Sequence, residues 1–182
     1  MKLNNILRKL IPACRQQPSD QEPLSMVLLL RTPHFFRDTE LRTAAEKAWG
    51  VSFSGGEGSM HCVVQKGTTT LMKAGPHLLS FFHYPKPYVE NPKENTDWLP
   101  KANQRRAWTE HAACVGVDYV NRDTDAELAY CVLAKLIAEM LDENCAGIYV
   151  PRENSLIPND QSLYPELQRI ASARTTGIVL PS

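Results

Sequence analysis

The chain lacks the features that mark the most recognisable functional classes. No apolar run approaches the roughly 20 residues that a helix needs to span a bilayer. Neither sign of charge is in excess, with 20 Lys and Arg against 20 Asp and Glu. That balance leaves no whole-chain field to attract nucleic acid or an acidic partner, and no nucleic-acid partner is expected. The five cysteines, Cys14, Cys62, Cys114, Cys131 and Cys145, are odd in number and irregularly spaced. No secretion-type stretch precedes them, so a disulfide framework is not expected and a cytoplasmic location is. Gly55, Gly56 and Gly58 are not followed by Lys-Ser or Lys-Thr, and the helix pattern comes before them. A phosphate loop needs its helix to start at the glycines, so they read as a flexible turn.

What remains is an ordinary globular composition. The chain has 182 residues, 43% of them hydrophobic. This suits one compact domain or two small fused halves, and suffices to bury a core without disulfides or metal. One unit occurs twice: an apolar run, the triplet Arg-Asp-Thr, then a helical pattern. The first copy runs from Leu24 through Arg37-Asp38-Thr39 to Trp49, the second from Ala112 through Arg122-Asp123-Thr124 to Leu141.

Residues 2–15 carry Leu3, Ile6, Leu7, Leu10 and Ile11 at helical spacing, with Lys2, Arg8, Lys9 and Arg15 making the segment basic. Gln16 to Pro23 reads as a polar linker. Ser25 to Arg31 is too apolar for a half-exposed strand and predicts a central strand covered on both faces. Asp38 or Thr39 is expected to cap a helix burying Leu41, Ala44, Ala45, Ala48 and Trp49, with Gly50 at its end. Strands are expected at Met60–Gln65, Thr68–Met72 and Leu78–Tyr84, with Lys66-Gly67 as a hairpin turn. Asp97 is expected to cap a short helix holding Trp98, Pro100 and Trp108.

Ala112 to Val120 alternates, with Ala113, Val115, Val117 and Tyr119 on one face and the small or polar Ala112, Cys114, Gly116 and Asp118 on the other. Thr124 and Glu127 have capping-box spacing ahead of a broad apolar helix. A short buried strand at Gly147–Val150 and a helix at Leu163–Ala173 follow, with Thr176–Leu180 as an edge strand. The expected fold is α+β: two similar strand-helix-strand halves, 24–96 and 97–182, forming a mostly antiparallel sheet covered by helices in a duplicated ferredoxin-like arrangement. Residues 1–23 form the basic amphipathic segment and linker, and 24–182 the single domain.

Several motifs, taken in order, resemble the bacterial domain-of-unknown-function family numbered 4261. They are Val27-Leu28-Leu29-Leu30 before Pro33, Lys47-Ala48-Trp49-Gly50, Tyr84-Pro85-Lys86-Pro87, Trp98 ahead of Glu110-His111-Ala112-Ala113, Ala134-Lys135-Leu136-Ile137-Ala138, and Gly147-Ile148-Tyr149 before Pro158. The resemblance spans about residues 24–172. It implies no reaction or ligand. Family members often have His-x-x-His where this chain has His111-Ala112-Ala113-Cys114, so the second histidine is replaced by Cys114.

His111 and Cys114 are the candidate catalytic residues. Imidazole and thiol are zinc ligands, and a thiol beside an imidazole can be an activated nucleophile. The bland alternative is a histidine that bonds a loop and a cysteine that packs as a small apolar residue. His61-Cys62, His77 and His83 could extend a metal site, but His61 and Cys62 are neighbours on a strand and point to opposite faces. Asp118, Asp123, Asp125 and Glu127 gather near one strand end, where two acids could share a catalytic or metal role; Asp123 and Glu127 read more simply as helix caps. Phe81-Phe82-His83-Tyr84 with Trp98 and Trp108 could line a ligand groove, although alternation would bury Phe81 and set Phe82 and Tyr84 on the other face.

No metal or cofactor is expected. The favoured function is a non-enzymatic binding or protein-interaction module, its partner an unknown protein or a second copy. One alternative is a small hydrolase or metal-dependent enzyme using His111 and Cys114. The other is peripheral attachment to a membrane surface through residues 2–15, with Lys2, Arg8 and Lys9 on anionic lipid.

Overall fold

The computed structural model describes residues 24–121 and 125–173. The basic segment 2–15, the triplet Arg122-Asp123-Thr124 and the expected strand Thr176–Leu180 lie outside them. The described residues form an α+β fold with one seven-stranded antiparallel sheet and four α-helices. The strands are β1 (Leu24–Leu30), β2 (His61–Lys66), β3 (Thr69–Ala74), β4 (His77–Tyr84), β5 (Ala113–Tyr119), β6 (Cys145–Val150) and β7 (Ser155–Pro158). The helices are α1 (Asp38–Trp49), α2 (Ala102–Glu110), α3 (Ala126–Ala138) and α4 (Leu163–Ser172). No described helix is long and apolar enough to cross a membrane.

The sheet order is β2-β3-β4-β5-β1-β6-β7. The two expected units therefore put their first strands side by side: β1 pairs antiparallel with β5, from Leu24 opposite Tyr119 to Leu30 opposite Ala113. Each unit also closes around the other. The chain leaves β1 through α1, returns to the sheet at its outer edge in β2, and works inward through β3 to β4, which pairs with the far side of β5. It leaves β5 through α3 and returns at β6, on the far side of β1.

Period-two alternation sorts the side chains into two cores. On the first face Met26, Leu28, Leu79, Phe81, Val115, Val117 and Ile148 meet α1, α3 and α4. On the second face Val27, Leu29, Cys114 and Tyr149 meet Ala107 and Trp108 of α2 and the preceding segment at Leu99. All seven residues of β1 are buried, as expected of a strand covered on both faces. Between Leu29 and Leu30 the β1–β6 register shifts, because Ala146 is an extra residue in β6. Such a bulge lets Ala146 and Tyr149 join the second core while Cys145 and Ile148 stay in the first.

Helix termini depart from expectation in instructive ways. Arg37, not Asp38 or Thr39, is the N-cap of α1. Arginine has no acceptor, so Glu40 supplies the bond instead, its carboxylate accepting from the Arg37 amide at 2.9 Å. Gly50 ends α1 with φ of +69°, its N–H donating to Glu46 O. Helix α2 starts after Pro100, with Lys101 as N-cap, so Trp98 lies before the helix and Asp97 does not cap it. Asp125 caps α3, accepting from the Glu127 amide at 2.9 Å. Strand β7 was not expected from the sequence.

Candidate functional site

His111 follows the last residue of α2, where the chain turns into β5. The residue is 3% exposed. Nε2 accepts the Tyr88 N–H at 2.9 Å, and Nδ1 bonds Trp108 O. With a carbonyl at Nδ1 and an amide N–H at Nε2, the ring is neutral with its proton on Nδ1. Desolvation lowers its pKa, partly opposed by the Trp108 carbonyl. Both nitrogens are occupied, so no lone pair is left for a metal. The imidazole joins three pieces of chain, the 85–90 segment, α2 and β5.

Cys114 is buried in the second core, and burial pushes its thiol up to about 12. At neutral pH it is a protonated, apolar group. The imidazole–thiol chemistry that the sequence permits finds no support in this geometry. Among the described residues no group of three His, Cys, Asp or Glu is placed to hold a metal ion.

The acids and aromatics also separate. Asp118 lies on the second face of β5, where its carboxylate accepts from Ser25 Oγ at 2.7 Å. Asp125 and Glu127 are occupied at the start of α3, and Asp123 lies outside the described residues. Phe81 is buried in the first core, while Phe82 and Tyr84 share the second face, as alternation predicts. Trp98 and Trp108 pack elsewhere, edge to face with each other at 5.1 Å and with Tyr149 at 5.7 and 5.3 Å. Tyr88 completes this aromatic group at 5.2 Å from Tyr149. The group is the interior of the second core, so it packs α2 on the sheet instead of lining a groove with Phe82. Its tyrosines carry no strong sequence signal: Tyr88 lies in a loop, and Tyr149 is one apolar residue in an apolar strand.

The glycine-rich loop packs closely at Gly55. A Cβ there would meet Ser59 Oγ at 2.0 Å and His61 O at 2.8 Å. The loop thus lies against the outer edge of β2.

A surface emerges once the sheet's boundaries are traced. Antiparallel pairing alternates inward and outward backbone groups. Gly75 N–H donates to Met60 O, which fixes His61, Val63 and Gln65 as the outward residues of β2. Ser59 Oγ bonds His61 O at 2.8 Å, and Arg42 Nη2 bonds Val63 O at 3.0 Å. At the other edge, Asn159 N–H donates to Ala146 O, which makes Leu156 and Pro158 the outward residues of β7. Gln104 Nε2 bonds Leu156 O at 2.8 Å, and proline has no N–H to offer. Both edges are blunted against strand addition.

The described residues close the second face over only half its width. The second core draws on β1, β5, β6 and β7, with nothing from β2, β3 or β4. Over the remaining strands lie Val64, Leu71, Leu78, Phe82 and Tyr84. Leu71 is 41% exposed and Tyr84 43%. Gly116 leaves the middle low, for a Cβ there would find only Phe82 Cβ at 3.9 Å. Asp118 sits at the boundary with the covered half, opposite Ser80 on β4 and Ser25 on β1. Desolvation raises its pKa, with the Ser25 bond opposing. Lys66 ends the outer strand β2, and Lys73 lies on β3 between Cys62 of β2 and Leu78 of β4.

Two grooves occur elsewhere. One of about 490 Å³ runs between α2, β7 and α4, and its Arg169 and Glu166 are paired with each other. One of about 380 Å³ lies between α1 and the end of α3. Neither contains His111, Cys114 or Asp118. No family model, no curated protein and no solved structure matches the chain.

Proposed function

We propose that this protein is a non-enzymatic binding module whose interaction surface is the open half of the second sheet face. One observation carries the reading: both sheet edges are blunted, while the described residues leave uncovered a face over β2–β4 that presents Leu71, Phe82 and Tyr84. A polar strand face would need no cover. Leu71, Phe82 and Tyr84 lose water contact favourably only when something lies on them. Self-association through an edge strand is disfavoured by the Arg42 and Gln104 contacts, so a partner would lie on the face.

Two related readings belong with this proposal. The interlocked units, each returning to the sheet beyond the other's first strand, support descent from a duplicated ferredoxin-like arrangement. The order of motifs from Val27 to Pro158 supports membership of the family numbered 4261.

The test is affinity capture from source-cell extract with three forms of the chain. Leu71→Asp with Tyr84→Asp charges the open face at exposed positions and leaves the core intact. Lys47→Glu charges the opposite side as a control. Species held by the native chain and by Lys47→Glu, but lost with the face variant, are expected. Identical recovery from all three, or none from any, would remove the basis of the reading.

A further inference from the structure

We propose that a protein partner anchors itself on the open half of the second face through an arginine, laid in the trench over Gly116 with its guanidinium on Asp118. This rests on reading that face as an interaction surface, and adds the chemistry that the partner must carry.

The trench follows from the strand register. Gly116 lies between Phe82 on β4 and Val27 on β1. Both neighbours project side chains on this face, and Gly116 has none to project. A Cβ added there would meet only Phe82 Cβ, at 3.9 Å, among the described residues. Along β5 the trench runs from the buried Cys114 to Asp118. Two residues of strand span about 7 Å, a length that an extended arginine side chain covers. Tyr84 lies opposite Cys114, yet the Asp118 charge raises the pKa of its phenol. The Tyr84 and Asp118 side chains therefore border one space over Gly116.

Charge supplies the second argument. Asp118 is the one acid among the strand residues of β2–β5 on this face. Among the described residues it accepts from Ser25 Oγ at 2.7 Å, and no Lys, Arg or His pairs with it. Its flanking neighbours, Ser80 and Ser25, are 5% and 7% exposed, so water around the carboxylate is already restricted. A carboxylate that has lost water without gaining a cation gains more from one than an exposed carboxylate does. Lys66 pairs with Glu57 at 3.4 Å. Lys73 lies two strand spacings from β5, about 10 Å. These lysines turn a cation away from the outer strands and direct it to Asp118.

Guanidinium suits the site better than ammonium. It is planar, less strongly hydrated, and stacks on rings such as Phe82 and Tyr84 while bonding a carboxylate. Its methylene stem fills the apolar space over Gly116.

The test uses n-propylguanidinium, the arginine side chain alone, and n-propylurea, its uncharged counterpart of the same shape. Amide shifts of Phe82, Gly116 and Asp118 in the isotope-labelled full chain report binding. Propylguanidinium should shift them saturably, with at least fivefold higher affinity than propylurea. Asp118→Asn keeps an acceptor for Ser25 and should weaken propylguanidinium at least fivefold while leaving propylurea unchanged. Gly116→Val fills the trench and should weaken both probes. Equal affinity of the two probes, no shift at these amides, or propylguanidinium binding unchanged in Asp118→Asn would overturn the proposal.

Capture from source-cell extract separates this proposal from the reading beneath it. Species lost with Leu71→Asp and Tyr84→Asp but still held by Asp118→Asn would overturn the arginine anchor and leave the open-face reading standing. No species lost with Leu71→Asp and Tyr84→Asp would remove both.

Discussion

Replacing Gly147 by alanine should destabilise this fold by about 2 kcal/mol, whereas the same change at Gly116 should be neutral or stabilising. Both glycines lie in strands of one sheet, and neither has a positive φ, so alanine fits both backbones. The difference is what a Cβ meets. At Gly147 it would lie 2.7 Å from Ile157 O, 3.2 Å from Pro158 Cα and 3.5 Å from Ala107 Cβ. Two of those atoms are backbone of β7, which must move away from β6 to make room. Overpacking of this kind costs about 1–3 kcal/mol, and an obstacle that cannot rotate aside favours the upper end. Reduced freedom of the unfolded chain returns about 0.4–1 kcal/mol. At Gly116 only the second effect operates, because the nearest atom is Phe82 Cβ at 3.9 Å. Urea unfolding followed by tryptophan fluorescence reads the result. With a slope of about 2 kcal/mol per M, the midpoint should fall by about 1 M for Gly147→Ala and not fall for Gly116→Ala. Equal midpoints for the two variants would refute the close β6–β7–α2 seam. A large loss at Gly116 would show that the space above it is filled.

Three further outcomes follow from burial and hydrogen bonding. Desolvation, reinforced by His34, holds His83 down to about 4, and burial lowers His77 and His111 as well. The unfolded chain takes up protons near pH 6.5 and the fold does not. Stability is therefore full above that pH and declines as pH falls toward 4. For the half-buried His83, solvent screening reduces the loss between pH 7.5 and 5 to about 1 kcal/mol, and His83→Gln should remove that share in paired urea melts. Asp118, with a raised pKa, works in the opposite sense, since protonation relieves it. Thiol titration of native protein should leave Cys62, Cys114, Cys131 and Cys145 unreacted until denaturant is added, because all four are buried and Cys114 and Cys145 sit near 12. Rapid reaction of two or more thiols in the native state would contradict that burial. Arg42→Ala frees Val63 O and Phe53 O at the β2 edge. A loss of about 2 kcal/mol and concentration-dependent self-association are expected by sedimentation, and a stable monomer at every concentration would show that the edge is protected by the Gly55 loop alone.

Several elements were legible because a single rule governed them. Continuous apolarity in β1 signalled cover on both faces, and Ala113 to Tyr119 declared its two faces by alternation. Gly50 marked the end of α1 through the left-handed cap that glycine favours. Other features depend on distant partners and leave little local trace. The Arg37 cap works through Glu40, so the expected Asp-Thr signal sat one residue too late. Strand β7 has only four residues and ends in proline, and it exists because β6 offers it a partner. His111 and Cys114 attracted attention as reactive residue types. Their environment, two hydrogen bonds in one case and an apolar core in the other, is set by Tyr88 and Trp108, which no spacing rule ties to them.

The placement of β1 has a consequence for how the protein is made. It is the first described strand of the chain, yet its neighbours are β5 and β6. A nascent chain therefore carries a seven-residue apolar strand with no partner until the ribosome has passed Tyr119, and with one bare edge until it has passed Val150. Contacts of such long sequence separation form slowly, and the waiting strand is a site for misassembly. Synthesis and chaperone access during that interval, more than final stability, should set the yield of folded protein. Truncations that end before β6 should be insoluble even when they contain most of the sheet.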